Sequence, residues 1–127
     1  MKVLALDYGL ARTGVAVSDP TGTVARPLCT VERAGTEAGL RRLRDLVAAE
    51  EAERVVVGLP LTLRGEQGEQ AAETGRFVEE LRAVLDVPVE TYDERFTTTL
   101  AGPGEGDDAR AAAHLLSSYL EWTSRRS

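Results

Sequence analysis

The chain has 127 residues, a formal net charge of −6 and a pI near 4.8. With 43% hydrophobic and 28% charged residues, it reads as one globular domain over residues 1–127, long enough to bury a sizeable core. No apolar stretch approaches a bilayer-spanning length, and Asp7 interrupts the N-terminal run. Neither a membrane span nor a signal peptide is therefore expected, and the expected location is cytoplasmic.

The first apolar run, residues 3–6, reads as a strand that delivers one carboxylate, Asp7, at its end. Gly9 and Gly14 frame a tight connection, and residues 13–17 return as a second strand. Residues 25–31 form a third, weaker strand whose Pro27 suits a sheet edge. Cys29, the single cysteine, lies in this run. It excludes an internal disulfide and a cysteine-based zinc site, and it reads as a small buried hydrophobe. Residues 36–51 have helical spacing, with Leu40, Leu43, Leu46 and Val47 on one side and Arg41, Arg42 and Arg44 turned to solvent. Val55, Val56 and Val57 make residues 54–58 a strand covered on both faces. Residues 67–85 are a second helix, with Ala71, Ala72, Phe77, Val78, Leu81 and Leu85 inward. A last strand over 87–92 and a last helix over 108–122 follow; Ala112, Leu115, Leu116, Tyr119 and Leu120 line that helix. The order βββαβαβα implies an α/β fold, an antiparallel meander extended by two parallel strands through helical crossovers.

Carboxylates stand at the element ends. Asp7 ends the first strand, Asp93 and Glu94 end the last, and Asp107 and Asp108 open the last helix. In such a sheet the C-terminal ends of the first, fourth and fifth strands share the edge where ligands bind. Oxygen donors without a histidine or cysteine partner suit Mg²⁺ or Mn²⁺. That donor set points to two-metal phosphodiester hydrolysis. Each acid also has a plain structural use: Asp7 as a turn residue, Glu94 paired with Arg95 or Arg12, Asp107 or Asp108 as a helix cap. His114, the only histidine, reads as structural or solvent-facing. A net negative chain is poorly suited to a polyanion unless positive charge is local or metal ions supply it.

Four blocks, Asp7-Tyr-Gly-Leu-Ala-Arg-Thr-Gly-Val-Ala-Val-Ser-Asp19, Val56-Val-Gly-Leu-Pro-Leu61 with Gly65 and Gly68, Asp93-Glu-Arg-Phe-Thr-Thr98, and Asp108 through Leu120, occur in one order over nearly the whole chain. Together they resemble the YqgF/RuvX family, bacterial RNase H-like proteins associated with Holliday junction resolution and with pre-16S rRNA processing. The resemblance implies an RNase H-like five-stranded mixed sheet, order 3-2-1-4-5, flanked by helices. It implies a metal-dependent nuclease acting at the 5′ end of pre-16S rRNA in ribosome biogenesis. A Holliday junction resolvase, or a non-catalytic nucleic-acid- or protein-binding module on the same fold, stays open.

Asp7, Glu94 and Asp108 are then the catalytic acids and the ligands of Mg²⁺ or Mn²⁺. Asp108 is preferred to Asp107 for its spacing to Tyr119. Arg12 and Arg95 look like phosphate contacts supported by Thr97 and Thr98, and Gly58, Pro60 and the 65–68 loop like substrate-side backbone. The expected partner is nucleic acid, structured RNA before branched DNA. The family usually carries a longer basic segment before the last helix. Here residues 100–106 hold Glu105 and no basic residue, which leaves phosphate contacts to a protein partner or to RNA structure. The first hairpin also resembles the phosphate loop of actin-like ATPases and sugar kinases, but those enclose a nucleotide between two such domains.

Overall fold

The computed structural model describes residues 1–60, 68–94 and 108–126. The first apolar run is β1 (Val3–Asp7), which turns at Gly9 into β2 (Arg12–Ser18) and then β3 (Ala25–Glu32). Antiparallel pairing joins β1 to β2 and β2 to β3. β3 is a full eight-residue edge strand, longer than its sequence suggested. Its register shifts opposite Val15 and Ala16, beside Pro27, where a missing N–H costs no ladder bond.

Two crossovers add β4 (Arg54–Leu59) and β5 (Val89–Asp93) through α1 (Glu37–Glu50) and α2 (Glu69–Val84), and α3 (Asp108–Arg126) closes the chain. β4 runs parallel to β1, and β5 runs parallel to β4. The sheet order is β3-β2-β1-β4-β5, as expected. Thr36 caps α1, its side-chain oxygen accepting from the Gly39 N–H at 3.1 Å. Glu51 ends that helix in the left-handed region, at φ 56°, and frees the chain to enter β4.

Strand alternation divides the core into two layers. Leu4, Leu6, Val15, Val55, Val57 and Val89 face α1 and α2, where Leu43, Val47, Phe77, Val78 and Leu81 are buried. Val3, Ala5, Ala16, Val56 and Tyr92 face α3 and meet Ala112, Leu115, Leu116, Tyr119 and Leu120. Ala72, expected inside, is exposed; buried Thr74 takes up that side of α2. Cys29 is half-buried against the first layer. Far from the acid-bearing edge, Arg54 and Tyr119 both meet the Glu90 carboxylate, tying α3 to β4 and β5. No helix among the described residues is long and apolar enough to cross a membrane.

Candidate active site

Because β1, β4 and β5 are parallel, Asp7, Leu59 and Asp93 end on one edge of the sheet. Asp7 continues the Val3–Ala5 alternation and so lies on the α3 side. Glu94 follows β5 on the side shared by Glu90 and Tyr92. The first residue of α3 is Asp108, so three elements distant in sequence bring their acids to one corner.

The Asp7 and Glu94 side chains are hydrogen-bonded to each other. A carboxylate only accepts, so one of the two carries a proton. Glu94 is favoured for that proton: burial first, then the charge and hydrogen bond of Asp7 and the charge of Asp93, push its pKa up to about 8. Asp7 is also raised, chiefly by burial, with the Glu94 hydrogen bond opposing and the Asp108 charge adding to the rise. Asp108 is thus close enough for its charge to be felt at Asp7. Its carboxylate is engaged by Arg12, whose Nε lies 3.3 Å from Oδ2. Arg12, expected on phosphate and exposed over most of its side chain, here balances the third acid. Among the described residues, no group of three His, Cys, Asp or Glu side chains is drawn together as a metal-binding set.

Two strand glycines, read from sequence as a turn frame and as substrate-side backbone, make room for the acid-bearing elements. Gly14 on β2 is the register partner of Asp7. A Cβ at Gly14 would fall on the Asp108 carbonyl and come within 3.0 Å of the Ala109 nitrogen. At Gly58 on β4, a Cβ would stand 2.5 Å from Glu94 Oε1 and 2.9 Å from its Cγ. The signal was present, since a glycine inside a strand often marks a close approach. Sequence alone did not say what approaches.

Pro60 follows β4 at the same edge and is half-buried. Gly68 is the N-cap of α2, with no side-chain cap bond and nothing within 4 Å of a Cβ there. Arg95, Thr97, Thr98, Gly65 and Asp107 lie outside the described residues. His114 is half-buried on α3.

The fold is that of RuvC and other RNase H-like proteins. Thermus thermophilus RuvC, solved in complex with a Holliday junction substrate, aligns over 98% of this chain and 96% of its own with a TM-score of 0.68 at 17% identity. A further structure of that RuvC gives 0.62 over 98% of this chain and 97% of its own, also at 17% identity. The chain belongs to the RuvX family, whose model, described as "Holliday junction resolvase", matches residues 1–122. A relative from Chloroflexus aggregans is 50% identical over 94% of this chain and 92% of its own length. One from Sulfurihydrogenibium is 39% identical over 94% and 90%. Both relatives bear the name "Putative pre-16S rRNA nuclease".

Proposed function

We propose that this protein is a divalent-metal-dependent nuclease that hydrolyses phosphodiester bonds in the processing of pre-16S rRNA. The observation that carries this reading is the half-buried Asp7–Glu94 carboxyl pair, hydrogen-bonded at the sheet edge with Asp108 alongside. Holding two carboxyls in contact costs desolvation and repulsion. A proton offsets that cost in the free protein, and a cation would offset it better. The donors are all oxygens, hard ligands that fit Mg²⁺ or Mn²⁺. Asp7, Glu94 and Asp108 would hold the ion. When bound there, it would lower the pKa of an attacking water and balance charge on the leaving oxygen.

The chain's own residues do the rest. Asp7 is fixed by the central strand, so its position is set by the sheet rather than by a loop. Glu94 reaches it from the end of β5 and would bind a cation as the carboxylate, its proton passing to solvent. Asp108 rides on the first turn of α3, and Arg12 balances its charge. With Asp108 engaged by a cation, the Arg12 guanidinium would be available to a substrate phosphate, a contact that positions without reading bases. Arg95, Thr97 and Thr98 would serve as further phosphate contacts in this reading. The short segment at 100–106 leaves part of the affinity to RNA structure or to a protein partner.

The names of the relatives support an RNA precursor as substrate. Branched DNA is the second reading, favoured by the description of the family and by the RuvC fold. A cleavage assay with Mn²⁺ comparing a pre-16S leader, a four-way junction and single strands separates them. Cutting of the leader alone is the expected result. Preference for the junction would reverse the order, and Mn²⁺-independent cleavage would remove the metal from the mechanism.

A further inference from the structure

Asp7 and Glu94 touch, yet they come from strands that are not neighbours. β4 lies between β1 and β5. Strands two apart are separated by roughly 9–10 Å, so one side chain must cross the intervening strand to reach the other. Glu94 makes that crossing, and its path runs over Gly58: a Cβ there would lie 2.5 Å from Oε1, 2.9 Å from Cγ and 3.0 Å from Cδ. Real Cβ atoms do not approach other atoms at the shortest of these distances, so the space above Gly58 is the space the Glu94 carboxyl occupies.

Backbone conformation does not explain the glycine. Among the described glycines, only Gly22 has a positive φ, at 72°. Gly58 sits in a paired strand opposite Tyr92, after three buried valines, where a β-branched residue would otherwise be favoured. Glycine in such a place weakens the strand. What the position gains is room.

We infer that Gly58 is a positioning residue whose missing side chain gives Glu94 the passage across β4 to Asp7. This inference rests on Asp7 and Glu94 being cation ligands. It differs from an ordinary packing role in one respect. The atoms an alanine would displace are the far end of a flexible side chain, so the strand keeps its place and the carboxyl moves. Function and stability therefore separate at this position.

The test is Mn²⁺ binding by calorimetry, with thermal unfolding alongside, on wild type, Gly58→Ala, Glu94→Gln and the double variant. Gly58→Ala is expected to fold with a midpoint within a few degrees of wild type, yet to bind Mn²⁺ about 10–100-fold more weakly, the usual cost of disturbing the support of a metal ligand. In the Glu94→Gln background the same change should add no further loss, because the group it displaces is already gone. Wild-type affinity in Gly58→Ala, with Glu94→Gln weakened, would overturn the inference and leave the metal reading standing. An equal loss in both backgrounds would also overturn it, since Gly58 would then act through the sheet. Failure of Gly58→Ala to fold would do the same. If Glu94→Gln binds Mn²⁺ as wild type does, the metal reading itself fails and this inference with it.

Discussion

Gly14 stands directly across from Asp7 in the β1–β2 ladder, and the carbonyl of Asp108 occupies the space a side chain at Gly14 would fill. The first turn of α3 rests on bare backbone there. That contact brings Asp108 near enough for its charge to raise the pKa of Asp7. The central acid is thus flanked on β2 and β4 by glycines, one seating a helix and the other admitting a side chain.

Gly14→Ala should therefore be more damaging than Gly58→Ala. Its added methyl meets the backbone of Asp108 and Ala109, which cannot swing away, so α3 must shift on the sheet. Overpacking of this kind costs about 1–3 kcal/mol. Urea unfolding should show that loss, and Mn²⁺-dependent cleavage should fall with it. Unchanged stability would mean that α3 has freedom at its first turn.

Asp7→Asn should abolish Mn²⁺-dependent hydrolysis while leaving the metal-free protein as stable as wild type or more so. An amide removes a half-buried negative charge and its repulsion with Asp108, but it cannot replace a charged ligand. Thermal unfolding without metal and a cleavage assay with it check the two halves. Full activity in this variant would place the chemistry elsewhere.

The stability of the metal-free protein should fall as the pH rises from the ordinary carboxylate range through about 8. Glu94 has a raised pKa in the folded state, so between those limits the folded protein binds more protons than the unfolded chain. Stability is then fully present below the unfolded pKa and lost through the folded one. Asp7, also raised, acts in the same direction. Glu94→Gln should flatten this component, read as the difference in thermal midpoint between variant and wild type across the pH range. A parallel pair of curves would show that Glu94 does not titrate there.

Arg12→Ala should weaken binding to nucleic acid of any sequence and flatten its salt dependence, measured in Ca²⁺ to occupy the acids without supporting cleavage. One lost phosphate contact changes the slope of log K against log salt by about 0.9 on duplex and about 0.7 on single strands. An unchanged slope would mean that Arg12 stays on Asp108 when substrate is present.

Much of this protein was legible in residue order. The alternation of Val3 and Ala5 with Leu4 and Leu6, the valine run at 55–57 and the spacing of Leu115, Leu116, Tyr119 and Leu120 determined the elements and the faces they bury. Their periods are local properties of strand and helix. The same order put acids at element ends on one edge, Asp7, Asp93 or Glu94, and Asp107 or Asp108, and the family resemblance chose among them. Ala72 went astray because an alanine carries too little apolar surface to decide which side of a helix faces in. Only the tertiary structure decided the pairings: Glu94 with Asp7, Arg12 with Asp108, and Gly14 and Gly58 as the gaps that admit them. Those are contacts between β1, β2, β4, β5 and α3, set by sheet order and by which atoms need the same space. No local pattern encodes that competition, and a glycine in a strand looks the same in sequence whichever neighbour it makes room for.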